Sequence, residues 1–344
     1  MAGKSKIEWT DATWNPIVGC SVVSPGCTNC YAMRQARRIE AMGGATHYAG
    51  TTKVVNGKPV WTGKLALAPE AVLTKPLRWR RPRRIFVNSM GDLFHEDTPD
   101  AWIDRVFAVM ALAPQHQFQV LTKRSKRMRD YCNNPETPRR ITEAAEEVAA
   151  RVYKHHWLGA LANAGIGFAK QLILWPLPNV WLGVSAEDQW RADEVVPDLL
   201  ATPAAVRFVS AEPLLGPVDF THIKHAMGLT RDALRGVWHA FPIDAGPPAT
   251  INTNPPRHSL DWIIAGGESG PGARPTHPNW VRSIRDQCAA AGVAFFFKQW
   301  GEFAPLTEPA YPEHGVHSFV HVGKKRAGRR LDGVEHNVFP EPRA

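Results

Sequence analysis

The chain has 344 residues, 44% hydrophobic and 21% charged, a balance that suits a soluble globular fold and excludes a disordered chain. Its 41 Lys and Arg outnumber 32 Asp and Glu, and the formal charge of +9 fits a nucleic acid or another polyanionic partner without requiring one. No apolar run approaches the roughly 20 residues of a membrane span, and residues 1–10 hold no apolar leader core, so a cytoplasmic protein with no membrane association is expected.

A strand predicted over residues 14–19 runs into Cys20, Cys27 and Cys30, and residues 31–42 read as a first helix. Short runs rich in Val, Ile and Phe then recur at 85–88, 117–122, 180–185, 206–211, 260–266 and 294–299, with the length and composition of buried parallel strands. Between them lie helical patterns. Thr98 and Pro99 read as N-cap and first-turn residue ahead of the stripe Trp102, Ile103, Val106, Val109 and Met110, and residues 278–291 repeat the pattern. About seven β/α units predict an α/β fold, a partial or closed parallel TIM-like barrel over 1–301; a doubly wound open sheet has the same periodicity.

Two stretches break the repeat. Residues 135–178 are too long for one crossover and predict a helix from about Glu136 to Leu161 plus an inserted segment. Residues 222–258 contain Gly246-Pro247-Pro248 and Asn254-Pro255-Pro256, which predict a loop or excursion in the second half. The tail, 302–344, has few apolar runs and is expected to pack on the barrel or cap it.

Five cysteines in a chain without an export signal do not read as a disulfide framework. Cys288 shares a helical stripe with Trp280, Val281, Ile284 and Ala291 and reads as core; Cys132 receives no role. The other three crowd into eleven residues as Cys-x6-Cys-x2-Cys, with Pro25-Gly26 bending the loop so that three thiolates reach one metal centre. Three are one short of a closed zinc site or a fully ligated four-iron cluster, and a four-iron cluster so held keeps one iron open. A zinc site completed by His47, His95 or Cys132, or a crowding of thiols without metal, stays open at this point.

In a parallel β/α barrel functional side chains gather at the carboxyl ends of the strands. Here those tips are the cysteine loop, Ser89-Met90-Gly91-Asp92, Thr122-Lys123-Arg124, Ser185-Ala186-Glu187-Asp188, Ser210-Ala211-Glu212, Gly266-Gly267-Glu268-Ser269 and Lys298-Gln299-Trp300. Carboxylates at four tips read as a lined pocket, and His95 is a further candidate beside it. Basic residues cluster at Lys75–Arg84 around Trp79, at Lys123–Arg129 and at Lys324–Arg330, the pattern of solvated faces or of a nucleic-acid surface.

Trp14-Asn15-Pro16, Gly19-Cys20 and Cys27-Thr28-Asn29-Cys30-Tyr31-Ala32 together resemble the opening of the phage-associated three-cysteine-motif proteins, an uncharacterised family related to the radical S-adenosylmethionine superfamily. The resemblance continues through Ser89-Met90-Gly91-Asp92-Leu93-Phe94-His95, Leu121-Thr122-Lys123-Arg124, Trp181-Leu182-Gly183-Val184-Ser185, Ser210-Ala211-Glu212-Pro213, Gly266-Gly267-Glu268-Ser269-Gly270 and Phe297-Lys298-Gln299-Trp300-Gly301. More distantly the chain is similar to spore photoproduct lyase.

The resemblance implies a 4Fe-4S cluster on Cys20, Cys27 and Cys30, S-adenosylmethionine at its open iron, an external electron donor and a 5′-deoxyadenosyl radical that abstracts hydrogen from a substrate. It implies that Asp92 receives the cofactor's amino group with Ser89 and Met90 beside it, and that Thr122, Ser185 and Glu187 line its carboxylate and ribose side. Glu212, Glu268 and Lys298 are then the catalytic candidates, with Arg274 and Trp300 on the substrate side. The basic clusters point to a nucleic acid or nucleotide as substrate. The spacing departs from the superfamily's, with six residues instead of three between the first two cysteines and Asn29 before the third. Two other classes of answer are a metal-stabilised nucleic-acid-binding or nuclease-like protein without S-adenosylmethionine chemistry, and an inactive barrel kept as a partner protein.

Overall fold

The computed structural model describes residues 5, 7–164, 173–225, 229–240, 249–251, 258–306 and 318–341. Seven parallel strands form one curled sheet, a partial barrel, in strict chain order: β1 (Ala12–Trp14), β2 (Arg84–Val87), β3 (Gln117–Thr122), β4 (Val180–Ser185), β5 (Val206–Ala211), β6 (Trp262–Gly266) and β7 (Ala294–Gln299). Each lies beside its chain neighbour, as short crossovers dictate. The longer helices are α1 (Tyr31–Met42), α2 (Asp100–Ala111), α3 (Ser125–Asn133), α4 (Thr137–Tyr153), α5 (Gln189–Leu200) and α6 (Pro278–Ala291). The apolar faces of α2 to α6 share one core with the outer side of the strands, with α2 packed on α4, while α1 buries Ala32, Met33 and Ala36 in a separate cluster with Val18, Tyr48, Trp61 and Met90.

Three local expectations shift. The run 14–19 is not one strand: β1 ends at Trp14, and after Pro16, which has no N–H to give a ladder, Ile17–Val18 pairs antiparallel with Ala66–Leu67. Pro99, not Thr98, takes the N-cap of α2. The helix in 135–178 stops at Tyr153, where Lys154 turns left-handed at φ 49°, and a short helix, Trp157–Asn163, follows. Within 222–258 an antiparallel sheet of four strands, Ile223–Lys224, Leu229–Asp232, Val237–Ala240 and Ala249–Ile251, leaves the barrel between β5 and β6. Gly246-Pro247-Pro248 and Asn254-Pro255-Pro256 lie outside the described residues.

The sheet's inner face holds a second, aromatic core of Trp9, Phe86, Trp181, Phe208, Trp262 and Phe296 towards the amino ends of the strands. Trp9, from the segment before β1, sits 4.8 Å from Phe86 and edge-on to Trp262 at 6.2 Å, in geometries aromatic pairs favour. Phe339 from the tail joins them 5.1 Å from Trp262, whose indole N–H donates to the Val338 carbonyl. The tail also runs antiparallel along the outer edge of β7, with bonds from Phe297 N to His336 O and from Val338 N to Phe295 O, so that edge is covered. With the amino end filled, the space inside the sheet opens towards the carboxyl ends.

Among the described residues no helix is long and apolar enough to cross a membrane.

Candidate functional site

The loop between β1 and α1 is pinned at the carboxyl end of the sheet by close backbone contacts. Gly19, at φ 97°, passes so near the Lys64 carbonyl that a Cβ would lie 2.0 Å from its oxygen, and Gly19 N–H donates to Met90 O beyond β2. A 3-10 turn, Pro25–Cys27, then lifts Cys27, and Cys30 caps the start of α1. The result is a cavity of about 410 Å³ with Cys20, Cys27 and Cys30 on one wall and strand tips opposite, over a floor that includes Trp9, Phe86 and Leu121.

Ion pairs and hydrogen bonds fix this wall. Glu187 is wholly buried; it accepts from Ser24 Oγ, from Gly26 N at 3.0 Å and from Lys123 Nζ at 3.0 Å. Burial pushes its carboxyl up, but Lys123, Ser24 and the Gly26 amide outweigh that and hold it below the usual range. Asp92 accepts from Thr122 Oγ1 (2.6 Å), Lys123 N (2.9 Å), Phe94 N (3.0 Å) and Arg124 Nη1 (3.2 Å). Arg124, itself buried, also donates to Ser21 O and Oγ, to Glu96 and to the Cys20 sulfur at 3.4 Å. Burial, then the nearby Asp92 carboxylate, pushes the Cys20 thiol up to about 12, against the pull of Arg124; burial also raises Cys30, against the Ala32 and Met33 amides.

The opposite wall carries two more pairs. Glu212 faces Lys298 Nζ at 3.0 Å and accepts from Ser210 Oγ at 3.1 Å. Glu268 takes a two-toothed grip from Arg274 at 2.7 and 2.8 Å and a bond from Asn29 Nδ2 at 3.2 Å, while Arg274 also donates to Pro25 O. Thus Glu268 ties the β6 tip to the cysteine loop.

Of the residues singled out in the sequence, Cys20, Cys27, Cys30, Ser89, Asp92, Thr122, Ser185, Glu212, Glu268 and Lys298 all border the one cavity. Five candidates do not, His95 among them. Glu187 and Met90 lie behind the wall, Arg274 reaches the site through Glu268, and Trp300 packs on Phe297 with its indole N–H given to Arg330 O. Asp92 borders the space, but four donors fill its lone pairs, which leaves none for an incoming ammonium. The sequence provides no role for Ser21, Ser24 and Asn29, whose only signal is adjacency to the cysteines, and it marks Lys123 and Arg124 as a strand tip and a basic cluster without assigning what they hold.

Among the described residues no group of three His, Cys, Asp or Glu side chains is arranged to hold a single metal ion. A four-iron cluster asks for something different, since each cysteine binds its own iron instead of all three sharing one ion. The donor set fits that demand: three thiols border one cavity, and a guanidinium points at one of the sulfurs. A closed zinc site would need a fourth protein ligand, and none of the expected completions borders the cavity. His47 lies tilted against Tyr48, His95 bonds Ser21 through Nε2, and Cys132 is buried on α3.

A family model described as a protein of unknown function, DUF5131, matches residues 4–340. No curated protein and no solved structure matches the chain.

Proposed function

The chain belongs to the DUF5131 family, and we propose that it holds a 4Fe-4S cluster on Cys20, Cys27 and Cys30 and works as a radical S-adenosylmethionine enzyme. The single observation that carries the reading is the placement of all three thiols on one wall of a cavity at the carboxyl ends of a parallel sheet, where β/α folds keep their chemistry. A cluster with an open iron supplies one-electron cleavage of S-adenosylmethionine and hence a radical able to abstract hydrogen.

The chain's own groups do the holding. Arg124 donates to the Cys20 sulfur and leans on Asp92, so Asp92 orients the loop instead of receiving the cofactor's ammonium. That amino-acid moiety suits the Glu212–Lys298 pair, which offers an acceptor and a donor 3.0 Å apart to an ammonium and a carboxylate. Ser89, Thr122 and Ser185 remain the polar neighbours of the cavity on the β2, β3 and β4 tips. The aromatic floor keeps water from below.

Charge narrows the substrate. Lys123, Arg124, Lys298 and Lys324 border the cavity, and each faces a carboxylate, Glu187, Asp92, Glu212 or Glu8. A phosphate would have to break one of these pairs. If the substrate is a nucleic acid or nucleotide, its base or sugar is the part this cavity suits, with the phosphates left outside.

The test is anaerobic reconstitution of the full chain with iron and sulfide, followed by reductant and S-adenosylmethionine. The expected result is a brown protein that forms 5′-deoxyadenosine, and Cys27→Ala should lose both colour and product. A colourless protein that retains stoichiometric zinc would sink the proposal; a brown one that cleaves nothing with candidate substrates present would leave the cluster a structural or partner role.

A further inference from the structure

Cys27 stands on two walls. Besides the central cavity it borders a second hollow of about 300 Å³, and it is the one residue common to both. This hollow lies between the cysteine loop, with Val22 and Thr28, and the hairpin Thr52–Val55/Lys58–Trp61, with Val55, Lys58 and Val60. Val22 is 51% exposed and Val55 43%, with Val54 beside it at 56%. Val22, Val55 and Val60 thus form one contiguous apolar lining, the kind of exposed patch that marks a contact surface.

The charged side chain that lines the hollow, Lys58, is basic, and Lys53 stands on the same hairpin opposite Val60. Residues 20–64 hold six basic side chains and a single acidic one, Glu40, which is engaged by Arg37 and by the Gly50 amide. Lys53 and Lys58 stand exposed on the hairpin, and neither the hairpin nor the cysteine loop contains a carboxylate.

We propose that this collar docks an acidic one-electron carrier protein, and that Cys27 is where the electron passes to the cluster; the inference rests on the cluster assignment above. The step is a bare electron transfer. The carrier is oxidised by one electron and the cluster reduced by one, with no bond made and no proton moved. A positive rim with an apolar centre is what steers and then seats an acidic protein. A single-stranded nucleic acid would meet valines where it needs aromatic stacking. The geometry also separates two tasks: the inner wall of the loop faces the substrate space, while the outer wall stays free for the carrier, so reduction does not require an empty cavity.

The experiment follows the absorbance of the reconstituted full chain after mixing with a reduced flavodoxin, an acidic carrier, and separately with dithionite. Lys53→Glu/Lys58→Glu should slow reduction by flavodoxin about tenfold at low salt, and the difference should shrink as salt screens it. Val55→Asp should slow it as well. Cluster content and reduction by dithionite should match the unaltered chain. Equal flavodoxin rates in variants with full cluster content overturn the docking surface and leave the cluster standing, as does an oligonucleotide found to bind through Lys53 and Lys58 in the carrier's place. Failure of the unaltered chain to take up iron overturns the cluster and this inference together.

Discussion

The carboxylate of Glu187 has no contact with solvent, and its three donors come from the cysteine loop and from β3's tip, so its work is to hold the loop. Gly26 is part of the same fit, because a Cβ there would lie 2.5 Å from the Glu187 oxygen. Glu187→Ala would leave a mostly buried ammonium and a backbone amide without partners. Breaking a buried pair from one side costs about 3–5 kcal/mol, and that is the loss expected in urea unfolding of the cluster-free chain. A loss under about 1 kcal/mol would show that the loop is held by other contacts. The polarity of a strand tip was readable in the sequence, but the side to which each tip residue turns was not. Glu187, Asp92 and Glu268 read as ligands for a cofactor or substrate, and each is satisfied by a neighbour in the chain. For Glu187, and for the side-chain partners of Asp92, those neighbours lie far away in sequence and no local pattern announces them, whereas Arg274 follows Glu268 within one loop.

Gly183 sits in the middle of β4, where the strand has no turn to make and ordinarily favours a larger residue. Its reason lies on β5: a Cβ at Gly183 would come within 2.5 Å of the Phe208 ring, which fills the inner face of the sheet. Gly183→Ala is therefore expected to destabilise by about 1–3 kcal/mol through overpacking, measured by thermal or urea unfolding. A stabilised variant would mean that the ring has room to move. At this scale the sequence served well where apolar runs were continuous, since six of the strands follow directly from them. It served poorly at β1, only three residues long and cut by Pro16, and in 222–258, where strands such as Leu229–Asp232 carry Thr, Arg and Asp instead of an apolar alternation. The polar members of that strand are buried by their tertiary setting, as Arg231 shows by donating to the His258 carbonyl.

An open sheet of seven strands needs something to close its seam, and both chain ends supply it. Trp9 and Phe339 fill the inner face, and the tail lies against β7. The tail turns at Asp332-Gly333, both at positive φ, between paired Leu331 and Val334, a two-residue turn of the kind Asp-Gly favours. At that turn Asp332 receives Arg282 and Arg285 from α6 at 2.7 Å each, so one carboxylate fastens the tail to the barrel's outer helix. The hydrogen bonds from Arg282 and Arg285 hold Asp332 down at about 2, below its ordinary 3.8. A depressed folded-state value means that the contribution is complete above about pH 4 and disappears as pH falls towards 2. Asn tolerates the left-handed backbone at this position, so Asp332→Asn removes the charge and keeps the turn. The variant should be less stable than the unaltered chain at pH 7, by no more than about 1 kcal/mol because the pair is partly exposed, and the gap should close by pH 2. Limited proteolysis of the tail at pH 7 and unfolding curves compared across that range read both effects. A gap that persists unchanged at pH 2 would mean that the tail is held through its backbone and Phe339 alone.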